Sequence, residues 1–174
     1  MLRFHENKLD ESVELFSRRA RSRARTATDS DEFQANEYLA MIDLERGRPA
    51  EAKVYCKSAR GASATSCARA ASGHSHALDG LCHYALTDDT APLDAALDDL
   101  RAADAKHRLA YTLTRAALLD VERQRPEAAI ARASEALGYA EALDRATEIV
   151  LAHAAWRAGS PRRHGGVCRA TWRR

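Results

Sequence analysis

Two stretches of the chain repeat one another. Met41-Ile-Asp-Leu-Glu-Arg-Gly-Arg-Pro-Ala-Glu-Ala52 aligns with Leu118-Leu-Asp-Val-Glu-Arg-Gln-Arg-Pro-Glu-Ala-Ala129 at an offset of 77 residues. In both copies an apolar stretch with helical spacing runs into Glu-Arg-x-Arg-Pro, and an Ala-rich stretch follows. Proline disfavours α geometry in the residue before it, and it fits the first turn of a new helix, where its missing N–H is no loss. Pro49 and Pro126 therefore mark tight helix–helix corners. Pro92 marks a third, after the turn-like Thr87-Asp-Asp-Thr-Ala91. A unit that recurs at half of this offset, about 38 residues, is a helix pair that cannot bury its apolar face alone and must stack on its neighbours.

Composition agrees with an all-α chain. Of 174 residues, 37 are Ala, and aromatic residues make up only 6%. A chain rich in Ala, Arg, Leu and Glu favours helix over sheet. No alternating pattern of strand length is present, which predicts no sheet. Charged residues reach 30%, and the longest run without one is nine residues, Ala70 to Leu78. A bilayer span needs about 20 apolar residues, so no membrane helix is expected. Eight helices are predicted, over about 8–25, 32–46, 49–60, 67–86, 92–105, 107–123, 126–142 and 144–158. Ser30 or Asp31 is a suitable N-cap for the second, and Ser72-Gly73-His74-Ser75 interrupts the pattern of the fourth.

These features resemble the tetratricopeptide repeat family. Leu39-Ala40 falls at the family's Leu-Gly position in the first helix of a pair, Gly47 at the turn, and Ala52 at the small position of the second helix. Ser12 with Phe16 fits the small-to-aromatic spacing, and Ala129/Ala133 and Ala96/Leu100 fit it more loosely. The pattern departs from the family where Asp43 and Asp120 replace the usual Tyr. The small residues Ser12, Ala52, Ala96 and Ala129 are also unevenly spaced. The resemblance is to degenerate repeats such as those in the sensor arms of large bacterial ATPase-type transcription regulators. It implies a right-handed α-α superhelix of antiparallel helix pairs over residues 1–158, followed by a basic tail, 159–174, expected to be disordered. It also implies a non-catalytic module that holds a protein or peptide in its concave groove. Ligand contacts would come from Gln34, Glu37 and Met41 in the first full pair and from Tyr111, Thr114 and Leu118 in the last. His153 and Trp156 follow on the final helix. Helices 8–25 and 144–158 lack partners and polar caps, which predicts a segment of a longer array whose open ends can self-associate.

Charge is unevenly spread. Residues 1–25 carry seven Lys/Arg against four acids, and residues 157–174 carry six Arg and no acid, so the body between them is acidic. On a helix, Arg18, Arg21 and Arg25 share one side. Such a stripe attracts phosphate or an acidic surface, and it carries the alternative reading of a nucleic-acid-associated regulator. No aromatic interleaves it, as single-strand binding prefers. The polar N-terminus lacks the apolar core of a signal peptide, so a cytoplasmic protein with reduced Cys56, Cys67, Cys82 and Cys168 is expected. Cys67, His74, His76, Cys82 and His83 are zinc-ligating residue types, but their spacing matches no established site, and Cys is also a common small core residue. No nucleophile elbow, phosphate loop or His-Glu-x-x-His is present. The sequence therefore predicts no enzyme, no metal and no cofactor.

Overall fold

The computed structural model describes residues 9–21, 29–61 and 68–160. Among these residues there is no strand, and the secondary structure consists of helices joined by short corners: α1 (Leu9–Arg21), α2 (Asp29–Glu45), α3 (Pro49–Gly61), α4 (Ala68–Thr87), α5 (Ala91–Ala102), α6 (Lys106–Glu122), α7 (Pro126–Ala142) and α8 (Ala146–Gly159). None of these helices is long and apolar enough to cross a membrane. Two expectations are corrected. The second helix begins at Asp29, so Ser30 and Asp31 lie within its first turn and neither is the N-cap. The fourth helix passes unbroken through Ser72–Ser75. His74 and Ser75 are buried there, against α2, and packing of this kind overrides weak helix propensity. Tail residues 161–174 lie outside the described residues.

The corners explain the repeated motif. Gly47, Asp104, Gln124 and Asp144 each adopt positive φ, at 67°, 49°, 56° and 50°. Each is followed by a residue whose N–H reaches back five positions: Arg48 to Asp43, Ala105 to Leu100, Arg125 to Asp120 and Arg145 to Ala140, at 2.8–3.0 Å. This left-handed closure satisfies carbonyls that the end of a helix would otherwise orphan. The variable residue of Glu-Arg-x-Arg-Pro is therefore the left-handed one. Glycine takes that conformation freely, whereas other L-residues lose about 1–2 kcal/mol. Gly47→Ala is expected to lower stability by about 1 kcal/mol, and Gln124→Gly to raise it by a smaller amount. Paired urea titrations check both.

Helices pack in a regular order. Each packs on the next in sequence, and the even-numbered helices also touch in series, α2 on α4, α4 on α6 and α6 on α8. The odd helices α3, α5 and α7 thus each sit against two consecutive even ones. Close crossings need small residues. A Cβ on Gly80 of α4 would lie 2.7 Å from the Leu93 Cα of α5, and one on Gly159 of α8 would lie 3.0 Å from the Pro126 carbonyl of α7. The end of α8 therefore meets the start of α7, so the two run in opposite directions. Along α7, Ala129, Ala133, Ala136 and Ala140 are fully buried, a stripe at helical spacing that lets its neighbours come near.

The core changes character along the chain. Phe16 of α1 stacks on Tyr38 of α2 at 4.6 Å, beside Ala35, Leu39 and Ile42. The middle is leucine-rich, with Leu78, Leu81, Leu93, Leu97, Leu100, Leu109 and Leu113 at or near zero exposure. Each such side chain contributes about 1.5–3 kcal/mol on burial. The α6–α7–α8 end relies on Ala117, Ala133 and Ala155, which bury much less apolar area. Ion pairs supplement it: Arg101 of α5 donates to both oxygens of Glu135 of α7 at 2.7 and 2.8 Å.

Candidate partner-binding face

Polar side chains of the even helices converge at two places. The first is built on Asp120, near the end of α6. It is fully buried. Its Oδ1 accepts the Tyr84 hydroxyl of α4 at 2.5 Å, and its Oδ2 accepts Arg132 of α7 at 2.7 Å. Arg132 also donates to Asp94 of α5 at 2.7 Å. Burial, then the bond to Asp120, pushes the Tyr84 phenol above its ordinary value. The two arginines of the second Glu-Arg-x-Arg-Pro copy complete the knot. Arg123 lies over the Tyr84 ring at 4.6 Å and donates to the Tyr84 and Ala85 carbonyls at 3.0 and 2.9 Å. It also bonds Asp88. A cation at the last carbonyls of α4 is favoured by the helix dipole. Arg125 reaches the Asp88 carbonyl at 3.3 Å. Every group has a partner, and the knot ties four helices together, so its chemistry is structural.

In the first copy, Asp43 occupies the place of Asp120. Burial pushes its carboxyl above the usual range, and Arg48, 2.8 Å away, offsets this only in part. Arg46 bonds Asp10 of α1.

The second convergence lies along the row of even helices. Glu37 of α2 is buried, and its Oε1 accepts the Ser75 hydroxyl of α4 at 3.2 Å and faces His74 Nδ1 at 3.3 Å. The His74 ring meets the edge of Tyr111 of α6 at 6.3 Å. The buried Tyr111 hydroxyl donates to Glu45 at 3.1 Å. Burial foremost, with the Glu45 charge adding to it, holds this phenol well above its ordinary value. Arg115 of α6 lies over the Tyr111 ring at 4.3 Å and also donates to Glu45. Glu148 of α8 stands 3.8 Å from Arg115 and accepts from Arg145 at 3.2 Å. The result is a strip of alternating carboxylates, cations and phenol running from α2 to α8.

Comparison with protein-family models, curated proteins and solved structures finds no match. The reading of this face therefore rests on its residues.

The expected groove residues fall unevenly on it. Glu37 and Tyr111 are brought together through His74. Met41 belongs to the central core, and Leu118 packs half-buried against the alanine cluster at the other end. Thr114 is fully buried, and its hydroxyl donates to the Ala110 carbonyl of its own helix at 2.7 Å. Gln34 is half-buried, while His153 and Trp156 stand exposed on α8. Glu45, Arg115, Glu148 and Arg145 complete the strip; Glu45 was visible only as the Glu of the first Glu-Arg-x-Arg-Pro copy, and the other three carried no signal, because the Glu45–Arg115 bond joins residues 70 apart. His74 was conspicuous only as a zinc-type residue. Of that set, Cys67 lies outside the described residues, Cys82 is buried and His76 is exposed. Among the described residues no three His, Cys, Asp or Glu gather as a metal set. Arg18 of the basic stripe is exposed and bonds Glu14 at 2.6 Å. Arg25 and the Arg21 side chain lie outside the described residues.

His83 and Asp89 form a smaller site at the α4–α5 corner. They approach to 3.2 Å, and Asp89 accepts the Ala91 N–H at 3.0 Å, which starts α5. That backbone bond, then His83, holds the Asp89 carboxyl below its ordinary value. A carboxyl lowered by folding stabilises the native state above its unfolded pKa, and that contribution is lost as pH falls through the folded one. Wild type is therefore expected to lose more stability below about pH 4 than Asp89→Asn does. Melting curves across this acid range check it.

Proposed function

We propose that the chain is a non-catalytic interaction module, similar to tetratricopeptide arrays, that takes a segment of a partner protein along its row of even helices. One observation carries this reading: the even helices touch in series and gather Glu37, His74, Glu45, Tyr111, Arg115 and Glu148 on the strip they share. Unlike the Asp120 knot, whose carboxylate has no exposed surface, this strip includes a partly exposed pair, Glu45 and Arg115. Glu37, His74, Tyr111 and Glu148 are buried in the free chain, so a peptide would take donors and acceptors from this strip by exchanging its own amides and side chains for the bonds they now make. The four corners with the same closure support a repeated helix-pair plan, and small residues at the crossings support close stacking.

Selection of peptides from a random display library against the immobilised full chain tests this. Enrichment of a peptide family whose binding protects amides of α2, α4, α6 and α8 from exchange is the expected outcome. Failure to enrich any family, or protection confined to α3, α5 and α7, overturns the reading.

A further inference from the structure

The last residue of α2 bonds a helix that is not next to it in the row. α4 packs on both α2 and α6, yet Glu45 Oε1 takes three donors, all from α6: the Tyr111 hydroxyl at 3.1 Å and the Arg115 Nε and Nη2 at 2.8 and 2.5 Å. In a row where each helix touches the next, a tie from the first to the third fixes the angle at the middle one. The curl of α2–α4–α6 is thus held by side chains as well as by packing.

The tie sits at the edge of water. The Glu45 side chain keeps 28% of its surface exposed and that of Arg115 keeps 14%. The wetter partner is Glu45, so the pair is screened by salt less than a surface pair and more than the Asp120 pair, whose carboxylate has no exposed surface. Both ends also tolerate release. Arg115 would keep the Tyr111 ring beneath it and Glu148 3.8 Å away, and Glu45 at a helix end can turn to solvent. The Tyr84–Asp120–Arg132 knot behaves differently, because its carboxylate has no exposed surface.

We infer that Glu45 is a releasable latch: engaged on Tyr111 and Arg115 it holds the row of even helices curled, and released it lets α2 swing from α6 and uncovers the strip between them. This goes beyond the binding reading and does not require it, since the latch is a property of the free chain.

Hydroxyl-radical footprinting of the full chain tests it, with Tyr111 as reporter and Tyr84 as internal control, both buried in the closed form. Glu45→Ala is expected to raise Tyr111 modification several-fold, leave Tyr84 protected and increase the radius of gyration in small-angle scattering. The unmodified chain should shift the same way but to a smaller extent at about 1 M salt, where the screening length falls to about 3 Å, because a partly buried pair is screened less than an exposed one. Unchanged Tyr111 protection in either experiment overturns the latch. Loss of Tyr84 protection together with that of Tyr111 overturns it too, because Glu45 would then be a rivet of the whole fold. Peptide binding plays no part in these readouts, so failure of the latch and failure of the proposed function are distinguishable.

Discussion

Asp120→Ala is expected to destabilise the protein by about 3–5 kcal/mol, the range found when one partner of a buried ion pair is removed. The carboxylate has no exposed surface and bonds Tyr84 and Arg132. Without it the Tyr84 hydroxyl loses its short bond, and Arg132, with a side chain only 14% exposed, keeps Asp94 at the rim and the Tyr84 ring as its remaining partners. Tyr84→Phe removes a single hydrogen bond to a charged group and is expected to cost less, about 1.5–3 kcal/mol. Urea unfolding at neutral pH reads both. Equal, small effects would mean that the knot is incidental to the stack. Total stability of a domain is about 5–15 kcal/mol, so the alanine variant should lie near the limit of folding.

Gly80→Ala is the second large effect. The added methyl carbon would stand 2.7 Å from the Leu93 Cα and 3.0 Å from its nitrogen. Both are backbone atoms, so no rotamer change relieves the clash, and α4 and α5 must separate. Overpacking a core costs about 1–3 kcal/mol, occasionally more, and here the separation also disturbs the core cluster that Leu93 shares with Leu97 and Leu100. Gly138 of α7 provides the control. It is exposed, and a Cβ there meets nothing within 4 Å. Gly138→Ala is expected to raise stability by about 0.5–1 kcal/mol, the cost of glycine in a helix. Thermal melts of the two variants should move in opposite directions. A tolerated Gly80→Ala would show that α4 and α5 cross at a greater distance than described.

Much of the architecture was legible because it is local. Pro49, Pro92 and Pro126 announce corners through the geometry of a single residue, and the helices fall within a few residues of where spacing places them. The Ser12/Phe16 and Ala129/Ala133 pairs, singled out by their spacing, are buried. The repeated aspartates were visible as departures, yet their different fates were not. Asp43 and Asp120 share a motif, but only Asp120 meets a Tyr from another helix pair. Likewise, Ser72–Ser75 reads as a break until α2 supplies Glu37 as a partner for Ser75 and His74.

The sequence by itself determined that the chain is helical and where its corners fall, because propensity and proline geometry act over a few residues. The tertiary structure decided which charges meet. Glu45 finds Arg115 across 70 residues and Asp120 finds Tyr84 across 36. An ion pair depends on distances of a few ångströms between side chains. Those distances are set by how whole helices cross, at Gly80 and along the alanine stripe of α7, and not by any spacing within a helix.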